Sequence, residues 1–141
     1  MEHNALRAYE SASRMAPSTR ELEANALFKA ARKLEACQQT WDAADRTARC
    51  AEALRYNQRL WTFFQAELAR PDHQLDRQIR QSLLTLSVFI DRRTFEIMAS
   101  PKKEKLQALI DINRNVAAGL NVKPQTNTSV TAGRFDSGSR P

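Results

Sequence analysis

The most constraining feature of the chain is a run of large apolar side chains at helical spacing in residues 54–68, LRYNQRLWTFFQAEL. One line of the helix surface holds Leu54, Trp61, Phe64 and Leu68, and a neighbouring line holds Tyr56, Leu60 and Phe63. Apolar residues three and four apart are typical of a helix with a wide apolar face. We therefore expect the remaining segments to pack on this helix.

Composition favours a single all-α domain. The 141 residues include only three Gly and five Pro, and Ala, Leu, Arg, Gln and Glu, which dominate, are good helix formers. We predict a compact bundle of about five helices in residues 1–120. Residues 121–141 offer only Val122, Val130 and Phe135 as bulky apolar groups, which is too little to offset the entropy of ordering, so we predict a disordered polar tail.

Apolar periodicity and breaker residues give approximate bounds for the five helices. They are about 4–15, 18–39, 50–69, 75–100 and 101–119, with Pro71 and Pro101 as breakers and Gly119 as a left-handed C-terminal cap. A break within residues 40–49 has one continuous long helix as its alternative. The fourth helix has the most apolar stripe, running from Ile79 to Met98, and we expect it to lie at the centre of the bundle.

The net charge of +6 is spread along the chain without a dense basic cluster, so direct binding of nucleic acid is not expected. No apolar run approaches the roughly 18 residues needed to cross a bilayer, and residues 1–11 lack the features of a signal peptide. These observations predict a cytoplasmic protein that does not insert into membranes.

Catalytic and metal-binding patterns were sought among the reactive side chains. His3, Cys37, Cys50 and His73 lack the spacing of zinc ligands, and the chain has neither a GxSxG elbow nor a glycine-rich phosphate loop. We therefore expect no enzymatic activity, no metal and no cofactor. The two cysteines are expected to be reduced thiols.

Two asparagines interrupt apolar lines, Asn57 in the aromatic helix and Asn113 in the last helix, and each lies near an arginine. A buried asparagine must find hydrogen-bond partners. The two side chains can bond each other or nearby backbone, or they can receive a polar group from an inserted helix. For the aromatic cluster, ordinary core packing is the competing interpretation. The candidate partner-binding residues are Tyr56, Asn57, Leu60, Trp61, Phe64, Ile112, Asn113 and Val116.

Five of these candidate residues, Asn57, Leu60, Trp61, Ile112 and Asn113, belong to a longer pattern. It comprises Tyr9; Ser18, Arg20, Glu21, Leu22 and Glu23; Ala53, Leu54, Asn57, Leu60 and Trp61; and Leu109, Ile110, Ile112, Asn113, Ala117, Ala118, Gly119 and Leu120. With this pattern the chain resembles the FlaF family of flagellar biosynthesis regulators of alphaproteobacteria over most of residues 5–120. The segment 40–50 matches the pattern poorly, and the tail has no counterpart in it.

The resemblance implies a small helical protein that promotes flagellin synthesis and export. It implies binding of unassembled flagellin as a chaperone, and action with or against FlbT. A helical surface that holds amphipathic helices of flagellin requires no catalytic residues. The alternative is a post-transcriptional regulator or adaptor that acts through FlbT or flagellin messenger RNA without binding flagellin.

Overall fold

A computed structural model of the chain describes residues 19–121. This part consists of four α-helices: α1 (Thr19–Gln39), α2 (Arg46–Leu68), α3 (Arg77–Ala99) and α4 (Leu106–Asn121), with a 3-10 turn at Lys103–Lys105. It contains no strand, which confirms the all-α class. The predicted first helix and the predicted tail lie outside the described residues. No helix within 19–121 is both long and apolar enough to traverse a bilayer.

The core is formed mainly by α1, α2 and α4, and α3 contributes Ile90 and Ile97 to it. Helix α4 packs most extensively on α1, α2 packs on α1, and α3 packs mainly on α2. The largest fully buried side chains include Trp61, Leu27, Leu34, Ile90, Ile97, Leu106, Leu109 and Ile110. All four residues of the predicted first apolar line of the aromatic helix, from Leu54 to Leu68, are buried.

Polar contacts fix the direction of α4 against α1. Gln38 Nε2 donates to Lys103 O and to Gln107 Oε1, both at 3.1 Å, and Arg114 Nη2 donates to Glu35 Oε1 at 2.6 Å. The end of α1 thus meets the start of α4, so the two helices are antiparallel.

The connection between α1 and α2 confirms the predicted break, and the alternative of one continuous helix is wrong. The chain leaves the helix after Gln39, and α2 begins at Arg46, earlier than the aromatic stretch suggested. Asp45 occupies the N-cap position of α2 without a side-chain capping bond, and its carboxylate pairs with Arg49 at 2.9 Å.

The predicted central position of α3 is wrong. Its buried residues face α2, but Ile79 and Met98 of the predicted stripe are 44% and 54% exposed. An apolar stripe shows that a helix buries one face, yet it does not show how many neighbours cover that face. Leu22, near the start of α1, is likewise 56% exposed, although its spacing from Ala26 and Leu27 predicts a buried position.

The start and end of the last helix also differ from the prediction. Ser100 closes α3, its N–H donating to Glu96 O at 2.9 Å. Pro101 does not begin a helix, since an extended Lys102 and the 3-10 turn come before Leu106. Gly119 is not a left-handed cap: α4 continues through it to Asn121, and no described residue has a positive φ.

Candidate partner-binding site

The two asparagines meet in the core and form a hydrogen-bonded chain with the tryptophan. Trp61 Nε1 donates to Asn113 Oδ1 at 2.8 Å, and Asn113 Nδ2 donates to Asn57 Oδ1 at 2.7 Å. Trp61 is 1% exposed and both asparagines are 0% exposed. Of the alternatives that the sequence left open, the structure shows asparagines bonding each other.

The direction of this chain follows from the chemistry of the indole. An indole N–H can only donate, so the amide facing it must present its oxygen. Asn113 therefore turns its nitrogen toward Asn57, and Asn57 must accept with its own oxygen. The Asn57 Nδ2 group ends this series of hydrogen bonds as a buried donor without a partner among the described residues.

A small cavity lies beside the indole, between the helices. Its volume is about 50 Å³, roughly a third of a 150 Å³ cavity that holds benzene. The lining residues are Glu23, Leu27, Trp61, Phe64, Glu67, Leu68, His73, Leu75, Leu83, Val116 and Leu120. Phe64 meets the indole edge-on, with ring centroids 5.6 Å apart. The cavity has room for the tip of an aliphatic side chain.

Acidic groups and a histidine stand around this apolar cavity. Burial raises the pKa of the Glu23 carboxyl, and the nearby Glu67 raises it further, while His73 and Arg20 act in the opposite direction. A cationic group entering beside Glu23 would favour its carboxylate form. Within residues 19–121, His, Cys, Asp and Glu form no group of three or more that can hold a metal ion.

The remaining candidate residues lie at the edges of the core. Tyr56 faces α1, with the Lys29 and Lys33 ammonium groups 5.5 Å and 5.4 Å from its ring centroid. Leu60 and Ile112 are half-buried and pack against the core.

The eight predicted residues therefore do not form one open face. Asn57, Trp61, Phe64 and Asn113 are buried, Tyr56 faces α1, and Leu60, Ile112 and Val116 are half-buried. A partner reaches the buried side chains only if the helices part. Partner binding through this set stays a prediction.

Sequence reasoning overlooked the exposed apolar residues of α3 that lie off its main stripe. Val88 and Phe95 are 55% and 62% exposed. The signal for them is present in the sequence, because α3 has bulky apolar residues on more sides than one packing partner can cover.

These features define a small helical protein. Its core buries the hydrogen-bonded side chains of Trp61, Asn113 and Asn57, and its helix α3 exposes apolar side chains. The family model for the flagellar protein FlaF matches residues 5–120, and the chain belongs to the FlaF family. It is therefore a flagellar protein. No curated protein and no solved structure matches the chain.

Proposed function

We propose that this protein binds unassembled flagellin in the cytoplasm as a non-enzymatic chaperone, promotes flagellin synthesis and export, and acts with or against FlbT. The observation that carries the proposal is the display of apolar side chains on a helical flagellar protein. Membership of the FlaF family supplies the flagellar context.

A chaperone of this kind needs an apolar surface that is accessible while the protein itself stays folded. Phe63, Val88, Phe95 and Met98 are each more than half exposed. None of these four side chains belongs to the buried core cluster of the described residues, so the core does not depend on them. By their spacing, Val88, Phe95 and Met98 share one face of α3, and contiguous exposed apolar patches commonly mark binding sites for other proteins.

A partner helix suits this surface better than a nucleic acid. Nucleic-acid binding depends on clustered cations and on aromatic rings that are free to stack. Phe63 and Phe95 are exposed, whereas Trp61 and Phe64 are buried. The cations are the weaker half of such a site, because Arg49, Arg70 and Arg114 are engaged in ion pairs with carboxylates.

The test is a pull-down with the full-length tagged chain from cytoplasmic extract at moderate salt, with and without nuclease. We expect flagellin to be recovered under both conditions. Purified monomeric flagellin should then bind the purified chain in a titration, without added FlbT or RNA.

Two outcomes would contradict the proposal. Recovery of FlbT without flagellin, together with no binding in the purified titration, would favour the adaptor alternative. Recovery of flagellin that disappears on nuclease treatment would favour action through flagellin messenger RNA.

A further inference from the structure

Helix α3 displays a second apolar line beside the face that packs on α2. We call this line the outer seam, and it consists of Leu84, Val88, Asp91, Phe95 and Met98. Val88, Phe95 and Met98 are 55%, 62% and 54% exposed, whereas Leu84 and Asp91 are half-buried along its inner edge. Leu84 also packs against the core, so the exposed apolar part of the line in the described part of the chain is formed by Val88, Phe95 and Met98.

The spacing of the outer seam fits a second helix. Its residues follow one another at intervals of four, three, four and three, which is the heptad spacing of a coiled-coil seam. A line with this spacing drifts by only about 20° per heptad around a straight helix. From Leu84 to Met98 it extends about 21 Å at the usual helical rise. Another helix can therefore lie along the whole line.

Asp91 gives the outer seam a charged central layer. Its Oδ2 accepts a hydrogen bond from Gln65 Nε2 at 3.2 Å, which holds the carboxylate at the border between α2 and α3. A carboxylate can accept several hydrogen bonds, so Asp91 retains capacity for a donor from outside. A lysine or arginine of a partner helix at this layer would supply that donor and the opposite charge.

The same residue disfavours a second copy of this chain as the occupant. Asp91 is the middle of the five positions, so antiparallel pairing of two copies centred on the seam brings the two Asp91 carboxylates together. Parallel pairing in register does so as well. Like charges at a partly buried layer repel each other, and a single polar layer of this kind selects the partner and register in coiled coils.

We propose that the outer seam binds an amphipathic helix of a partner protein, with apolar residues at heptad spacing and a lysine or arginine opposite Asp91. Under the proposed function this partner is flagellin, so the inference rests on that function and assigns its binding surface. The exposed Arg92 flanks the seam and suits a carboxylate at the edge of the partner helix.

The first test compares two neutral variants of the full-length chain in titrations with monomeric flagellin. Val88→Gln combined with Phe95→Gln removes the two most exposed apolar groups of the seam, and we expect binding to weaken about tenfold or more. Leu22→Gln is the matched control, because Leu22 is an apolar residue of α1 with a similar exposure of 56% and is not part of the seam. The control should bind within about twofold of the natural protein. Melting curves of all three proteins should nearly coincide, since no buried group changes.

The second test addresses the charged layer. Asp91→Lys places a cation opposite the expected cation, so binding should fall by about tenfold or more at low salt and partly recover as salt rises. Unchanged binding by this variant would overturn the assignment of a basic residue to the partner.

The occupant is identified by photo-crosslinking with p-benzoylphenylalanine in place of Val88, and in place of Leu22 as the control. We expect a crosslink to flagellin from position 88 and none from position 22. A crosslink to a second copy, or only to residues 1–18 or 122–141 of the same chain, would overturn the inference.

These measurements separate the two proposals. If the natural protein does not bind flagellin at all, the proposed function and the inference both fail. If the natural protein binds flagellin and the double seam variant binds equally well, only the inference fails.

Discussion

At the scale of single residues, the buried asparagines Asn57 and Asn113 make different numbers of side-chain hydrogen bonds. Asn113 accepts from Trp61 and donates to Asn57, whereas Asn57 makes one bond and leaves its own Nδ2 without a partner among the described residues. Replacing Asn113 therefore strands two buried polar groups. Replacing Asn57 strands one and removes a group that is already unpaired.

We accordingly expect Asn113→Ala to lower the free energy of unfolding by about 1–3 kcal/mol, and Asn57→Ala to lower it by less. Urea unfolding of the two variants measures the order. Equal losses would show that Asn57 Nδ2 has a partner in the native protein. A flagellin titration on the same variants decides their role in binding: weaker binding by a variant of undiminished stability would place its asparagine at the partner.

Cys37 makes a second prediction at this scale. The thiol is fully buried, and burial with the neighbouring Cys50 raises its pKa from 9.0 to about 11. The unfolded chain loses this proton at lower pH than the folded chain. The contribution of the thiol is therefore fully present below pH 9 and is lost as pH rises from 9 toward 11, by roughly 2–3 kcal/mol.

The measurement is the free energy of unfolding at pH 9 and pH 11 for the natural protein and for Cys37→Ala. The variant starts less stable, because it loses a buried sulfur, but it should lose less stability over this interval. The other ionisable groups are the same in both proteins, so the difference between the two pH dependences reports mainly on the Cys37 thiol. Parallel pH dependences would contradict a raised thiol pKa.

At the scale of helices, the two N-caps preceding α2 and α3 differ in a testable way. Asp76 accepts a hydrogen bond from Gln78 N–H at 3.1 Å, whereas Asp45 occupies the same position before α2 without such a bond. We expect Asp76→Ala to cost about 1 kcal/mol of stability. Asp45→Ala serves as the control and should cost about 0.5 kcal/mol or less, because it loses only an exposed ion pair with Arg49. Thermal unfolding of both variants gives the comparison, and equal costs would show that the Asp76 bond adds nothing.

The helices also show what a sequence can and cannot predict. The positions that alternate by three and four in α2 and α4 identified most of the large apolar side chains that these two helices bury, including Leu54, Trp61, Leu109 and Ile110, because burial of one helix face is a local property of the pattern. The position of α3 at the edge depends on which neighbours the connections bring to it. That is a property of the assembled bundle, and the strongly apolar composition of α3 suggested the opposite.

The candidate site was predictable to a similar extent. The sequence singled out Asn57 and Asn113 as polar groups within apolar lines, and the structure brings them together across 56 residues of chain. The sequence alone does not show whether the two asparagines face a partner or each other, since that depends on how closely α2 and α4 pack. The outer seam was not predicted, because Val88 and Phe95 do not belong to the main apolar stripe of α3.

At the scale of the whole molecule, the net charge of +6 has to be weighed against its distribution. Several cations are neutralised within the fold by ion pairs, Lys33 with Glu52 and Arg114 with Glu35 among them. Nucleic-acid affinity depends on how many phosphates are neutralised together, since each releases a bound counterion. Scattered and paired cations neutralise few phosphates at one time.

We therefore expect weak binding of flagellin messenger RNA by the isolated protein, without sequence preference, and a steep loss of that binding as salt rises from about 50 to 200 mM. Flagellin affinity should change much less over the same range, because it depends mainly on apolar contact area. Fluorescence anisotropy with a leader segment of the messenger RNA, a scrambled RNA of the same length and monomeric flagellin gives the three curves under identical conditions. Tight and sequence-dependent RNA binding that persists at 200 mM salt would refute the chaperone proposal in favour of direct action on the messenger RNA.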